Sequence, residues 1–434
     1  MMTIHVVQQG ETINSIADYY QVPVNRIISE NGLENLSSIV PGEAIVITFP
    51  ETTYIVQDGD TLLGIASNNG ISIMQLLRNN PYLSDREYIY PGETLVVSYG
   101  EKIGVITTNG FTNLFIDRSI LRKTLPFLTY LSIFGYRIME DGEINEIEDT
   151  EVIQIAKNYG VAPLMTLSTL STLGEENVEA AYNILNNEEI MDRLIDNAII
   201  ILKNKGYYGL NVTYQLLNNS TLSSYETFNT KAYNRLKAEG LGYFITISPN
   251  TIFSADKITF EEVDYSNILQ ESDGATILNY SWGTYLGPPA PIASAQNISA
   301  FLDYLLPQAL PSKLTIGMPL LGYDWELPYN IGLSRAFSLS LDAVSVLVRD
   351  VGSTIQFDEP SQTPFFTYSI TIGRIVREHV IWFVDGRSFE AIMNIITARG
   401  LAGSGLWNIM RYVPQLWLVI NNQYDIERIP ENNF

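Results

Sequence analysis

The sequence contains no cysteine and only two histidines, His5 and His379, which lie far apart in the chain. Without thiols there is no disulfide, no thiol nucleophile and no thiolate metal site. Two distant histidines also argue against a histidine-based zinc site and a Ser-His-Asp triad. We therefore predict no metal and no other cofactor.

Basic residues are scarce as well. The chain has 25 Lys and Arg against 48 Asp and Glu, which gives a formal net charge of −23. A surface of this sign repels a polyphosphate backbone, and no dense basic cluster offsets the repulsion. Nucleic acid is therefore not expected as a partner.

Long apolar runs are missing too. No segment reaches the ~18 apolar residues that a membrane span needs. The start of the chain, Met1 to Val7, lacks the basic and apolar regions of a secretory signal. We expect a protein that is synthesised in the cytoplasm without a signal peptide and has no membrane partner.

What the chain has is apolar material in quantity. Hydrophobic residues make up 46% of its 434 residues and charged residues 17%, which is typical of a globular protein. This length exceeds one ordinary domain, so two or three units are expected.

The first hundred residues contain an internal repeat. Several segments of the first copy recur about 50 residues later, namely Val7–Ile13 as Val56–Leu62, Ile16-Ala17 as Ile65-Ala66, Asn31 as Asn80, and Val40–Glu43 as Tyr90–Glu93. Each copy has the pattern of a strand, a Gly turn, two helices, a Pro-Gly turn and a closing strand. The sequence therefore predicts two βααβ units, at residues 3–49 and 53–99.

These two units resemble LysM modules. The resemblance implies that each unit binds an N-acetylglucosamine polymer, such as peptidoglycan or a chitin-like glycan, in a groove between its first and last loops. Carried onto this sequence, the groove residues are Gly10, Thr12, Asn31, Gly32, Gly59, Thr61, Asn80 and Pro81. In the alternative interpretation, glycine and threonine only shape the turn and cap the helix. Two weak modules on one chain would bind a polymer with avidity.

From residue 102 onward, short apolar strands alternate with amphipathic helices. The predicted strands are Ile103–Thr107, Leu128–Phe134, Ala162–Leu167, Tyr208–Gln215, Tyr243–Ser248, Ala275–Tyr280, Leu314–Pro319 and Gly403–Asn408. The predicted helices are Asp149–Asn158, Val178–Lys203, Thr230–Glu239, Ala295–Leu305 and Ser388–Arg399. Eight such strands predict a (β/α)8 TIM barrel of the α/β class over residues 102–434. The long interval before the last strand predicts a small α+β insertion at about 320–385.

The fourth predicted strand carries polar residues on one face. Alternation places Asn211, Thr213 and Gln215 toward the barrel lumen, where polar groups are costly unless they are hydrogen-bonded or functional. Their spacing resembles that of family 18 glycosidases, whose fourth strand carries Asp-x-x-Asp-x-Asp-x-Glu. With the LysM pair, the chain resembles the spore cortex-lytic N-acetylglucosaminidases of endospore-forming bacteria.

The resemblance implies a mechanism in which the last Glu protonates the glycosidic oxygen and an Asp two residues earlier supports the substrate's attacking acetamide. This chain has Tyr208, Asn211, Thr213 and Gln215 at the motif positions, and Ser281 where relatives often carry a further acid. Neither an amide nor a hydroxyl is an acid near neutral pH. We therefore expect a catalytically inactive homologue, a pseudoenzyme.

A sugar could still bind at the barrel mouth. Tyr280, Trp282 and Trp407 are suited to stacking on a sugar ring, and Asn211 and Gln215 to hydrogen bonding. We expect Trp407 to form the floor of the sugar subsite. In the alternative interpretation, these aromatic side chains only fill the upper core.

The sequence thus predicts a glycan-binding protein of the bacterial spore envelope. Two alternatives remain open at this stage. One is an active N-acetylglucosaminidase with relocated carboxylates, for which Asp324, Glu326 and Asp385 are candidates. The other is a structural spore protein that assembles with itself or with spore-coat proteins.

Overall fold

The structure of the protein is a computed structural model. It describes residues 1–34, 38–86, 88–168, 178–214, 217–253, 258–278 and 287–430, and all structural statements below concern these residues.

The first repeat folds as a strand, two helices and a closing strand. Its elements are β1 (Met2–Val6), α1 (Ile13–Tyr20), α2 (Val24–Asn31) and β2 (Ala44–Thr48). The two strands pair antiparallel, and the helices cover an apolar core that includes Ile16, Ile27 and Ile45. Thr12 is the N-cap of α1, and its hydroxyl accepts a hydrogen bond from the Ser15 amide at 3.1 Å. We refer to this unit as module 1.

The second repeat, module 2, has the same order of elements. These are β3 (Thr52–Ile55), α3 (Leu62–Asn68), α4 (Ile73–Asn79) and β4 (Thr94–Ser98). Thr61 caps α3 just as Thr12 caps α1, by accepting a hydrogen bond from the Gly64 amide at 3.0 Å. The βααβ prediction is confirmed for both repeats.

The remainder of the chain contributes seventeen strands within the described residues. They are β5 (Gly104–Asn113), β6 (Tyr130–Ile138), β7 (Ile144–Asn145), β8 (Ala162–Ser168), β9 (Gly209–Tyr214), β10 (Gly242–Ile247), β11 (Thr251–Phe253), β12 (Ile258–Phe260), β13 (Gly274–Leu278), β14 (Leu314–Pro319), β15 (Leu321–Leu327), β16 (Phe337–Ser340), β17 (Gln356–Asp358), β18 (Thr363–Ile372), β19 (Ile375–Trp382), β20 (Gly403–Trp407) and β21 (Tyr424–Ile426).

Ten helices alternate with these strands. They are α5 (Arg118–Thr124), α6 (Thr150–Asn158), α7 (Val178–Asn186), α8 (Glu188–Lys205), α9 (Leu222–Ala238), α10 (Ser266–Gln270), α11 (Ala295–Leu305), α12 (Leu341–Asp350), α13 (Gly386–Arg399) and α14 (Pro414–Gln423). Within the described ranges, no helix is both long enough and apolar enough to cross a membrane.

Eight parallel strands close into a barrel. Their order is β5, β6, β8, β9, β10, β13, β14 and β20, and the pairing of β20 with β5 completes the ring. The predicted (β/α)8 fold is confirmed. In a closed barrel of this kind, the loops at the carboxyl ends of the strands form the mouth that carries function.

Several predicted boundaries were wrong, and the causes are local. The first barrel strand continues to Asn113 because polar residues such as Asn109 face the lumen, which breaks the apolar pattern on which the prediction rested. The long helix predicted from Val178 is interrupted at Asn187. The side chain of this asparagine accepts hydrogen bonds from the amides of Glu189 and Ile190 and so starts α8.

The insertion between β14 and β20 is a five-stranded antiparallel sheet, with strand order β16-β15-β19-β18-β17. Helix α12 packs on one face of this sheet, where Val344 and Val348 meet Phe366 and Ile381. The predicted α+β insertion is therefore confirmed, and it contacts module 1 as well as the barrel.

Candidate functional site

Strand register defines which side chains fill the barrel. Residues that pair across parallel strands point to the same side, so Asn211 shares its direction with Thr166 on β8 and Phe244 on β10. The same reasoning turns Thr213 inward with Thr246. The predicted direction of Asn211 and Thr213 is confirmed.

Asn211 belongs to a buried chain of hydrogen bonds inside the barrel. Its amide nitrogen donates to the Ser132 hydroxyl at 3.0 Å, and its amide oxygen accepts from the Thr246 hydroxyl at 3.0 Å. Ser132 in turn donates to the Asn109 amide oxygen at 2.9 Å. Asn211 is fully buried, so this network satisfies its polar atoms and holds four strands together.

Thr213 lies closer to the mouth, one inward position above Asn211. Its hydroxyl and that of Thr166 are both buried, and neither has a hydrogen-bond partner among the described residues. Unpaired buried hydroxyls are costly and usually need a water or ligand to satisfy them. The structure therefore leaves two polar groups in the barrel lumen, Thr166 at the level of Asn211 and Thr213 one inward position nearer the mouth.

Trp407 ends β20 at the mouth of the barrel and is partly exposed. Its ring lies 5.3 Å from that of Phe111 and 4.9 Å, edge-on, from that of Phe134. Its carbonyl accepts a hydrogen bond from the Leu320 amide at 3.0 Å, and the Trp407–Asn408 peptide is cis. Trp407 thus presents part of its ring at the barrel mouth, and its role as the floor of a sugar subsite stays a prediction.

Tyr208 lies at the other end of the barrel, just before β9 begins. Its ring packs near those of Tyr130 and Phe244, at 6.0 and 6.3 Å. Burial raises the pKa of its hydroxyl. The first position of the motif thus lies far from the mouth and belongs to the lower core.

The other predicted barrel residues cannot be placed. Gln215, Tyr280, Ser281 and Trp282 lie outside the described residues.

The three candidate replacement carboxylates all have basic partners. Asp324 pairs with His379 at 3.0 Å and accepts a hydrogen bond from the Tyr368 hydroxyl at 2.7 Å. Glu326 pairs with Arg377 at 2.9 Å, and Asp385 with Arg387 at 2.6 Å.

The two LysM asparagines make hydrogen bonds to the backbone of their own modules. Asn31 donates to the carbonyls of Ile27 and Val46 and accepts from the Val46 amide, all within 3.0 Å. Asn80 makes the equivalent bonds to Leu76 and Val96. Both asparagines are buried, so they hold the second helix of each module on its last strand.

The other predicted LysM residues remain accessible to different degrees. Gly10 and Gly59 are exposed in left-handed turns, with φ of 88° and 84°. Gly32 ends α2 and faces Pro414 of the barrel domain, while Pro81 begins a short 3-10 helix. Thr12 and Thr61 are exposed, and each also caps a helix, so the capping role is observed for both while their role in glycan binding stays a prediction.

Among the residues that the structure places, no group of three or more His, Asp or Glu side chains could hold a metal ion.

Comparison with known families assigns both parts of the chain. The family described as glycosyl hydrolases family 18 matches residues 123–411, and the LysM domain matches residues 5–48 and 54–98. The chain therefore belongs to glycosyl hydrolases family 18 and carries two LysM domains.

Similar proteins share the whole arrangement. The cortical fragment-lytic enzyme of Bacillus subtilis (strain 168) is 27% identical over 429 residues, which cover 98% of this chain and 99% of that protein. The enzyme of the same name from Bacillus anthracis is 27% identical and covers 99% and 100%. The crystal structure of the spore cortex-lytic enzyme SleL from Bacillus cereus superposes with a TM-score of 0.79, over 98% of this chain and 99% of that one.

These relatives correct one prediction. From Thr213 and Gln215 we expected a protein that is not an enzyme, but the proteins similar to it over nearly its full length are named as lytic enzymes. The expectation rested on the residues at Thr213, Gln215 and Ser281, and the inference from them to a protein that is not an enzyme was wrong.

Proposed function

We propose that this protein binds the N-acetylglucosamine-containing glycan of the spore wall, through its LysM domains and the mouth of its barrel. The observation that carries the proposal is the partly exposed ring of Trp407 at the barrel mouth, which packs against Phe111 and Phe134. With it go the lumen hydroxyls of Thr166 and Thr213, which have no hydrogen-bond partner among the described residues. An aromatic face next to a few polar groups is the usual composition of a sugar site.

Calorimetric titration with a soluble N-acetylglucosamine oligomer tests whether the barrel mouth contributes to glycan binding. We expect Trp407→Ala to weaken binding at this site about tenfold, since one stacked ring contributes about 1 kcal/mol beyond its burial. Tyr182→Ala is the control, because this tyrosine is 67% exposed on helix α7 rather than at the end of a barrel strand. Equal affinities for the two variants would exclude the barrel mouth as a site.

A second proposal is that the protein also cleaves this glycan, and the names of its relatives favour it. In family 18 an acid must protonate the leaving glycosidic oxygen, which neither Thr213 nor Gln215 can do. The proton would then come from a carboxylate elsewhere in the chain. Glu175 and Glu176 follow β8 in the sequence, and Asp256 follows β11.

Measuring new reducing ends on spore cortex fragments tests this proposal. Turnover by the wild-type protein that falls at least about 100-fold in Glu175→Gln/Glu176→Gln, or in Asp256→Asn, would identify the acid, since general acid catalysis contributes about 10²- to 10⁴-fold. Thr213→Asp with Gln215→Glu should raise turnover on a similar scale. Absence of reducing ends in wild type would reject cleavage and leave the binding proposal standing.

A further inference from the structure

The Pro-Gly turn before the last strand differs in its surroundings between the two modules. In module 1 the turn is Val40–Glu43, and in module 2 it is Tyr90–Glu93. Val40 and Glu43 are buried, at 7% and 8% exposure, whereas Tyr90 is 57% exposed. The same position in the repeat is therefore closed in one module and open in the other.

The insertion covers the turn of module 1. Arg349 of α12 holds both carboxylate oxygens of Glu43 at 2.6 and 2.8 Å and donates to the Ser38 carbonyl. The Ile355 amide donates to the Pro41 carbonyl at 2.9 Å, and Arg387 donates to the Gly42 carbonyl at 3.1 Å.

Gly42 shows how close this contact is. A Cβ atom at Gly42 would lie 1.8 Å from the Ile355 carbonyl oxygen. The Gly42 backbone therefore packs directly against the Ile355 backbone, which leaves no space for a polymer on that side of the turn. The insertion therefore covers the side of the predicted module 1 groove that is formed by the turn before the last strand.

The turn of module 2 has no such cover. A Cβ atom at Gly92, the residue equivalent to Gly42, would meet no atom within 4 Å. Module 2 instead docks on the barrel domain through α4, where Asn79 accepts from Asn421 at 2.9 Å and Arg78 donates to the Pro126 carbonyl at 3.1 Å. The short 3-10 helix Pro81–Asp85 also packs against α5, so Tyr82 lies at the edge of the docking surface, while the turn at Gly92 lies outside these contacts.

The open turn carries an aromatic surface. The Arg86 guanidinium lies 5.2 Å from the centre of the Tyr90 ring and 5.9 Å from that of Tyr82, and it pairs with Glu93 at 2.7 Å. Tyr82 is 43% exposed. Tyr82, Arg86 and Tyr90, which we call the tyrosine platform, are held together by these contacts.

The platform is next to the first loop of its module. The Gly92 amide donates to the Val56 carbonyl, and the Val56 amide to the Glu93 carbonyl, each at 2.9 Å. Val56 leads directly into the turn at Gly59 and the cap at Thr61. The two loops therefore form one continuous surface of exposed rings and small polar residues.

We propose that, of the two modules, only module 2 binds the glycan, with the tyrosine platform stacking on N-acetylglucosamine rings. Module 1 instead attaches the two modules to the insertion. This inference rests on the proposed glycan binding and specifies which module performs it. Exposed tyrosine rings can stack on the apolar faces of pyranose rings, and N-acetylglucosamine is neutral, so its binding needs no opposite charge on the protein.

Calorimetric titration of the full chain with an N-acetylglucosamine oligomer tests the division between the modules. We expect Tyr82→Ala/Tyr90→Ala to abolish one binding site or weaken it by at least about tenfold, from the loss of two stacked rings. Tyr19→Ala is the matched control in module 1, because this tyrosine is 77% exposed and lies on α1 away from the covered turn. It should leave the titration unchanged. Circular dichroism of each variant checks that the fold is retained.

The outcomes separate this inference from the proposed function. If the wild type binds and the double variant binds equally well, the platform is not the site and the inference fails while glycan binding stands. The inference also fails if the double variant, with Trp407→Ala added, still binds one oligomer, since module 1 would then be open. If the wild type binds no oligomer, both proposals fail together.

Discussion

Modules 1 and 2 have the same fold and different environments. In both, a threonine caps the first helix, an asparagine ties the second helix to the last strand, and a Glu closes the Pro-Gly turn. Even the bond inside the turn recurs, since Glu43 accepts from the Val40 amide at 3.0 Å and Glu93 from the Tyr90 amide at 3.3 Å. Local sequence is sufficient to explain these shared features.

The two modules differ in the arginine with which the glutamate of the turn forms an ion pair. Glu93 pairs with Arg86 of its own module, while Glu43 pairs with Arg349 of the insertion, more than 300 residues later. Burial raises the pKa of Glu43, and Arg349 opposes that shift. One glutamate thus stabilises a local surface turn, and the other joins two domains. A repeat can therefore keep its fold while the same turn is exposed in one copy and docked on another domain in the other copy.

The largest expected contrast comes from the two arginines. Arg349→Ala leaves Glu43 buried without its partner, which should lower the free energy of unfolding by about 3 kcal/mol. Arg86→Ala breaks a pair whose side chains are 33% and 25% exposed, so the loss should stay below about 1 kcal/mol. Urea unfolding of the two variants measures both values. Equal losses would show that the Glu43 pair does not hold module 1 in place.

The two turn glycines should give a smaller contrast. Gly42 and Gly92 have φ of 83° and 90°, so alanine at either position costs about 1 kcal/mol of backbone strain. Gly42→Ala also drives a methyl group into the Ile355 carbonyl and should cost about 2 kcal/mol in total. Thermal unfolding of the pair measures the difference. A loss as small for Gly42→Ala as for Gly92→Ala would mean that the insertion can move away from the turn.

The two helix caps should give no contrast. Thr12→Ala and Thr61→Ala each remove one hydroxyl that accepts a hydrogen bond from a backbone amide at the start of a helix. Each substitution should lower the free energy of unfolding by about 1 kcal/mol. Urea unfolding measures both losses, and Thr→Ser at the same positions should restore most of the stability. Clearly unequal losses would place part of the difference between the modules in their local structure rather than in their surroundings.

Much of the fold could be predicted from the sequence. The repeat predicted both βααβ modules, and the alternation of apolar strands with helices predicted the barrel and its insertion. The lumen direction of Asn211 and Thr213 followed from strand periodicity alone. These features depend on local pattern, which the sequence displays directly.

The site was less predictable, because hydrogen-bond partners come from distant strands. No spacing in the sequence shows that the Asn211 side-chain amide is hydrogen-bonded to Ser132 and Thr246. Nor does it show that Phe111 and Phe134 pack against Trp407. The tyrosine platform was also missed. The signal for it is in the repeat itself, where Tyr90 of module 2 stands at the position of Val40 in module 1.

The sequence by itself determined that two LysM units precede a family 18 barrel, because periodicity, turns and caps act within a few residues of one another. Only the tertiary structure decided which LysM turn is open. That outcome depends on Arg349, Ile355 and Arg387 reaching module 1 across more than 300 residues, and such contacts form only when the insertion folds against it.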